Sequence, residues 1–142
     1  MALIQTMTTS FKVELAQAIH DFTTGSGDVF KLALYTANAD LGASTTAYTS
    51  AGEASGTGYT AGGLALTNIT PTFSGTTAYW SFDNLTFSGV TLTTNGALIY
   101  NSTKANRSVC VLNFGVNITK TAQDLVITFP PNNATNAILR IE

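Results

Sequence analysis

The stretch Glu53-Ala-Ser-Gly-Thr-Gly-Tyr-Thr-Ala-Gly-Gly-Leu-Ala-Leu, residues 53–66, divides the chain into two parts of different character. It holds four glycines within eleven residues, around one tyrosine, and then becomes apolar. Glycine tolerates positive φ and close backbone approach, so this pattern predicts a bent loop of defined shape. One helix and one strand are predicted before the stretch, and all the remaining strands after it.

The sequence from Gly63 onward predicts short strands at the spacing typical of an antiparallel β-sandwich or barrel. Alternation in residues 77–83 places Ala78, Trp80 and Phe82 on one face of a strand. The expected strands cover 63–68, 70–74, 77–83, 90–94, 97–101, 108–114, 124–129 and 136–141. The whole chain, 1–142, is therefore predicted to be one mainly β domain.

Three short sequences refine this prediction. The apolar runs 97–100 and 109–112 are typical of central strands that are buried on both faces. Asn95-Gly96 predicts a turn between two strands. Before the glycine-rich stretch, the apolar run 28–35 predicts one further buried strand.

The N-terminal part contains the one predicted helix. Residues 1–9 are uncharged and predict an arm that is flexible or lies against a neighbouring molecule. Residues 10–22 predict a short α-helix, with Ser10 as its N-cap. Its apolar stripe consists of Phe11, Leu15, Ala18, Ile19 and Phe22.

Residues 36–62 form a long segment that is rich in Gly, Ala, Ser and Thr. Connections of this length without regular structure are usually functional or interface loops. We expect partner contacts here, with the two tyrosines as aromatic anchors. The candidate interface residues are Tyr48, Glu53, Gly56, Gly58, Tyr59, Gly62 and Gly63.

The composition favours an assembled or extracellular protein. Only 10% of the residues are charged, against roughly 25% in an average soluble domain. Threonine and asparagine take their place, with 25 and 11 copies. The net charge of −2 and the scattered basic residues argue against nucleic-acid binding. No apolar run long enough to span a membrane and no signal peptide are recognised, so we expect no membrane partner and synthesis in a cytoplasm.

The sequence offers no catalytic set and no site for a cofactor. Its single histidine, His20, has no nucleophile near it in sequence, and its carboxylates are widely spaced. Cys110 lies in an apolar run and is expected to be buried. No cluster of metal ligands is present, and the loop 55–63 lacks the Lys-Ser/Thr that completes a phosphate-binding loop. We therefore expect no enzymatic activity, no metal and no cofactor.

Several segments resemble small structural proteins of tailed bacteriophages. They are 30–36, 41–49, 53–63, Gly96-Ala-Leu-Ile-Tyr-Asn, the Val-Leu-Asn-Phe-Gly run from Val111, Ile127-Thr-Phe-Pro and the closing Ala-Ile-Leu-Arg-Ile. The resemblance covers most of the chain, and 53–63 is its most specific part. It implies a virion protein without enzymatic activity.

Within that group, the resemblance implies a capsid decoration or cement protein. Such a protein binds the major capsid protein on the outside of the coat lattice and stabilises the lattice, commonly as a homotrimer. Two alternatives remain open. One is a tail, collar, baseplate or fibre component of the virion, and the other is a carbohydrate-binding module with tyrosines as its platform.

Overall fold

The structure is a computed structural model that describes residues 2–142. The predicted mainly β domain with one short helix near its N-terminus is confirmed. The elements are β1 (Thr6–Met7), α1 (Thr9–Ala16), β2 (Phe30–Tyr35), β3 (Leu64–Ala65), β4 (Asn68–Ser74), β5 (Thr77–Phe82), β6 (Leu85–Asn101), β7 (Arg107–Ile127) and β8 (Leu139–Ile141).

The strands form two antiparallel sheets. The larger sheet has the order β1-β7-β6-β2-β3, and the smaller sheet has the order β4-β5-β8. Their facing sides enclose the main core, in which Phe22 and Phe30 stack with ring centroids 4.2 Å apart. Trp80 and Phe82 of β5 are buried in the same core, as their alternation predicts.

The other face of the larger sheet is also buried. Alternate residues of β2 and β6, such as Tyr35, Leu98 and Tyr100, form a second apolar cluster there. Leu41 from the segment after β2 packs onto this cluster. The predicted burial of 97–100 on both faces is therefore confirmed, and the segment between β2 and β3 supplies part of the cover.

The turn predicted at Asn95-Gly96 is wrong. Strand β6 runs through these two residues without interruption, so the strands predicted at 90–94 and 97–101 are one strand. A Cβ atom on Gly96 would lie 2.4 Å from the Leu112 carbonyl oxygen, so the glycine serves close strand approach rather than a turn. The strands predicted at 108–114 and 124–129 are likewise joined in β7.

The helix is shorter than the predicted 10–22. It begins after its N-cap Thr8, whose side chain accepts a hydrogen bond from the Phe11 N–H, and it ends at Ala16. Ser10 is therefore inside the helix and is not its cap. Ala18 has a φ of 58°, which ends the helical path. Phe22 lies beyond the helix and reaches the core from an extended segment, since the core selects apolar side chains irrespective of the backbone that carries them.

The predicted N-terminal arm is part of the fold over the residues that the structure describes. Thr6 and Met7 pair with Val111 and Cys110 of β7. Leu3 is buried and bridges to Leu41. The remaining residue of the predicted arm, Met1, is outside the described residues.

Candidate functional site

The segment 36–63 closes the open edge of β2. Strand β3 pairs only with Lys31 and Leu32, so Leu34 lies beside β6 on one side and has no strand partner on the other. The Leu34 N–H instead donates to the Tyr59 hydroxyl at 2.9 Å, and the Leu34 carbonyl accepts from the Ala54 N–H at 2.8 Å. A side chain and a loop thus supply the hydrogen bonds of an absent strand, which blunts the edge.

The carboxylate of Glu53 accepts hydrogen bonds from several parts of this segment. Its Oε1 accepts from the Tyr59 hydroxyl at 2.7 Å and from the Gly62 N–H at 2.7 Å. Its Oε2 accepts from the Tyr48 hydroxyl at 2.6 Å. We call Tyr48, Glu53, Tyr59 and Gly62 the Glu53 clamp, because one half-buried side chain joins positions that are up to 14 residues apart in sequence.

Two further tyrosines connect the Glu53 clamp to the sheet beneath it. The Tyr100 hydroxyl donates to the Gly62 carbonyl at 2.6 Å, and its ring stacks on Tyr48 with centroids 5.0 Å apart. The Tyr35 hydroxyl donates to the Thr49 carbonyl at 2.6 Å. Sequence reasoning did not place Tyr35 or Tyr100 with the loop, although both are polar-tipped residues within buried strands, which need a hydrogen-bond partner.

The glycines of the stretch are fixed by backbone contact. Gly63 has a φ of +77°, and a Cβ atom there would lie 1.8 Å from the Leu32 carbonyl oxygen. A Cβ atom on Gly56 would lie 1.8 Å from the Thr91 carbonyl oxygen. Gly58 lies beside the same part of β6, at Gly89. These contacts explain why glycine occurs here, since only glycine allows such close approach of two backbones.

Three tyrosine hydroxyls at this site, those of Tyr35, Tyr48 and Tyr59, stay protonated. Burial raises the pKa of Tyr48 to about 12, and the hydrogen bond to Glu53 adds to this effect. The pKa values of Tyr59 and Tyr35 are also raised, mainly by burial. Because neutral phenols keep their protons through the physiological range, the three donate steadily to their acceptors.

All seven predicted interface residues therefore contact their own chain. Four form the Glu53 clamp, Gly63 lies against β2, and Gly56 and Gly58 lie against β6. The hydroxyls of Tyr48 and Tyr59 are engaged inside the molecule. The outward surface of the segment is formed by small residues, namely Ser55, Gly56, Thr57, Gly58, Thr60 and Ala61, which are exposed.

A second polar cluster lies between α1, β6 and β7. Asn101 is completely buried, and its Nδ2 donates to Asp28 Oδ2 at 2.8 Å and lies 3.0 Å from His20 Nδ1. The Lys104 ammonium donates to Asp28 at 3.1 Å, and Arg107 donates to Glu14 at 2.7 Å. We call Glu14, His20, Asp28, Asn101, Lys104 and Arg107 the Asn101 network.

The Asn101 amide determines which His20 nitrogen carries the proton. Its Oδ1 accepts from the backbone N–H groups of Thr103 and Lys104, both at 3.1 Å, which fixes the amide orientation. Nδ2 is then a donor, so His20 Nδ1 must accept and Nε2–H donates to Glu14 Oε1 at 2.9 Å. Both ring nitrogens are occupied and the side chain is 0% exposed, so His20 has no free nitrogen for a substrate.

Asp28 is ionised within this network. Its burial opposes the charge, but hydrogen bonds from Asn101, the Asp21 N–H and Lys104 outweigh burial and hold the pKa of Asp28 below its ordinary value. Both carboxylate oxygens of Asp28 are already engaged by these donors. The network therefore ties the helix to the β6–β7 hairpin as a structural element.

Other kinds of site find little support in the residues that the structure describes. Between residues 2 and 142, no group of three or more His, Cys, Asp and Glu side chains is placed to hold a metal ion. Tyr35, Trp80 and Tyr100 are buried, and the remaining tyrosines are half-buried, so they do not present an open stacking platform for a sugar. Cys110 is buried as predicted, and its burial raises the pKa of the thiol to about 12.

The helix of the described chain, Thr9–Ala16, is too short to cross a membrane.

Comparisons of the chain with models of known protein families, with curated proteins and with solved structures gave no match.

Proposed function

We propose that this chain is a non-enzymatic structural protein of a phage virion, a decoration or cement protein that binds the outside of the coat lattice. The proposal rests on how the two sides of the segment 36–63 differ. The Glu53 clamp joins its inner side, and the Tyr59 and Tyr100 hydroxyls tie that side to β2 and β6. Its outer side consists of small exposed residues and is almost free of charge.

Such a surface is suited to binding another protein. A loop that is already ordered loses little conformational entropy on binding, so more of the contact energy is retained as affinity. The desolvation of small uncharged side chains also costs little free energy. Asp40 and Glu53 are the charged residues between 36 and 62, and Glu53 is already satisfied within the clamp.

The proposed mechanism is mechanical. Copies of the protein bind across the seams between coat subunits and add buried area that resists separation of the subunits. Each contact can be weak, because many copies act together on one shell. The partners are the major capsid protein and further copies of this chain, in the trimeric arrangement that the resemblance implies, and neither a cofactor nor a nucleic acid takes part.

A charge on the outer side of the segment tests the proposal. Thr60 is exposed and its side chain makes no hydrogen bond within the described chain, so Thr60→Lys should leave the fold intact. Introducing an ammonium into a neutral docking surface should weaken co-sedimentation with phage shells that lack this protein by about tenfold or more. Ser26→Lys, on an exposed turn distant in sequence, is the matched control and should bind normally.

Equal binding of Thr60→Lys, Ser26→Lys and the unaltered protein would exclude this side of the segment as the contact. Failure of the unaltered protein to bind any shell would contradict the decoration role itself.

A further inference from the structure

Strand β8 is an outer strand of the smaller sheet, and its free edge is not covered by another strand of the described chain. Leu139 faces the core and is completely buried, while Ile141, two residues further along the same face, is 48% exposed. Arg140 and Glu142 lie on the opposite face and are exposed. Neither forms an ion pair with any residue from 2 to 142.

We propose that β8 pairs with β8 of a second copy of this chain in an antiparallel manner, across a two-fold axis at Ile141. The two Ile141 side chains would then lie opposite each other. Arg140 of each copy would lie opposite Glu142 of the other. The two smaller sheets would join into one sheet of six strands.

Charge complementarity selects a second copy as the partner and also selects the register. An antiparallel pairing centred on Ile141 places opposite charges face to face at two symmetric positions, and such cross-strand pairs are stabilising. A pairing centred on Arg140 would place Arg140 opposite Arg140, and one centred on Glu142 would place Glu142 opposite Glu142. Like charges that are directly opposite are destabilising, so only the register centred on Ile141 is favourable.

This register also keeps the two faces of the joined sheet distinct. Side chains that lie directly opposite in an antiparallel pair point to the same face. With Ile141 opposite Ile141, both apolar side chains are on the core-facing side and all four charged side chains are on the other. A shift by one residue would place Arg140 opposite Ile141 and mix the two faces.

A groove beside β8 contains both charged residues of the proposed pairing. It has a volume of about 390 Å³ and is lined by Met7, Ile138, Arg140 and Glu142. Met7 and Ile138 are half-buried and pack against the main core.

This inference does not depend on the proposed function. A contact across a two-fold axis uses the same patch on both copies, whereas a three-fold ring needs two different patches. Pairing through β8 would therefore be separate from any trimer contact and could join neighbouring trimers. Failure of the β8 pairing would leave binding to the coat lattice untouched, and failure of coat binding would leave the pairing untouched.

Charge reversals at the two exposed positions test the pairing. The purified protein should show an association step in analytical ultracentrifugation that doubles the mass. Arg140→Glu places Glu opposite Glu142, and Glu142→Arg places Arg opposite Arg140, so each single reversal should weaken the association about tenfold or more. The double reversal, with both substitutions in one chain, restores opposite charges and should restore the association.

A mixture of the two single variants gives the sharpest outcome. Arg140→Glu and Glu142→Arg each repel their own kind, but every pair between them is again of opposite charge. Mixing them should therefore produce the doubled mass that neither shows alone. An unaltered protein that stays monomeric, an association that the single reversals do not change, or a mixture that fails to associate would overturn the proposal.

Discussion

The Glu53 carboxylate accepts three hydrogen bonds at 2.6–2.7 Å from donors on three different parts of the loop. A hydrogen bond to an ionised acceptor contributes more than a neutral one, roughly 1.5–3 kcal/mol. Because both oxygens are in use, loss of the carboxylate would leave three donors without this acceptor. The shape of the loop between 48 and 62 therefore depends on this one side chain.

Glu53→Gln tests this dependence. The amide keeps the shape of the carboxylate but has one acceptor oxygen and no charge, so at least one tyrosine hydroxyl or the Gly62 N–H loses its acceptor. We expect a loss of about 2–3 kcal/mol in the free energy of unfolding, measured by urea denaturation. Amide hydrogen exchange should also become faster between residues 52 and 63.

Asp40→Asn is the matched control for Glu53→Gln. It removes the other carboxylate of the same segment, which is exposed, and should change the free energy of unfolding by less than about 0.5 kcal/mol. Equal effects of the two substitutions would show that the Glu53 clamp does not hold the loop.

Asp28 gives a prediction about pH. Its pKa is held below its ordinary value of 3.8 in the folded protein, so its stabilising contribution is complete above about pH 4 and is lost as the pH falls through the lower, folded value. Asp28→Asn removes the negative charge opposite Lys104 and one of the two acceptor oxygens, and it should lower the free energy of unfolding at pH 7 by about 2 kcal/mol. The difference between variant and unaltered protein should shrink below pH 4. A difference that stays constant down to pH 2 would contradict the assignment of Asp28 as an ionised acceptor.

At the scale of the element, the glycines of the stretch 53–63 allow its backbone to pack directly against the backbones of neighbouring strands. Gly63 and Gly115 have the same φ of +77°, but only Gly63 faces a neighbouring carbonyl. Alanine substitutions at these two glycines separate two contributions to stability. At both sites alanine is strained by the positive φ, but a steric clash is added only at Gly63.

Gly63→Ala should therefore be much more destabilising than Gly115→Ala. A left-handed conformation costs a non-glycine residue about 1–2 kcal/mol, and we expect a loss of that size for Gly115→Ala. The clash with the Leu32 carbonyl should raise the loss for Gly63→Ala to about 4 kcal/mol or more. The midpoints of thermal and urea unfolding measure both values, and similar midpoints for the two variants would show that the backbone contact at Gly63 is not tight.

The elements that sequence reasoning predicted well are those in which burial imposes a simple pattern. Alternation placed Trp80 and Phe82 correctly, and the run 97–100 was correctly assigned to a central strand. The end of the helix and the continuity of β6 were predicted wrongly. For β6 the reason is a contact between strands. Asn95-Gly96 has the composition of a turn, but the close approach of Leu112 requires the glycine, and that contact is not visible in the local sequence.

The sequence singled out Tyr48 and residues from 53–63 as contacts for a partner, and this assignment stays a prediction. Within the chain, Tyr48, Tyr59 and Gly62 meet at Glu53, a contact that the sequence analysis did not predict. Sequence alone could not reveal that the tyrosine hydroxyls point inward, because their acceptor is fixed by the path of the whole loop. The Asn101 network was missed because its residues come from distant segments, and its one signal is a buried asparagine at the end of an apolar run.

At the scale of the whole molecule, the larger sheet is covered on both faces by different means. The smaller sheet covers one face and, together with Leu3, the segment after β2 covers the other. This arrangement leaves two surfaces of different character for other molecules. The outer side of the segment is almost free of charge, whereas the β8 edge carries complementary charges. We propose that the first surface binds the coat lattice and that the second binds another copy.

Cryo-electron microscopy of the purified virion tests the decoration role most directly. The account predicts density for this chain on the outside of the shell, at three-fold or quasi-three-fold positions, with the outer side of 36–63 against coat subunits. Density confined to the portal, collar, tail, baseplate or fibres would contradict the decoration role, and absence of the chain from the particle would contradict the assignment to a virion.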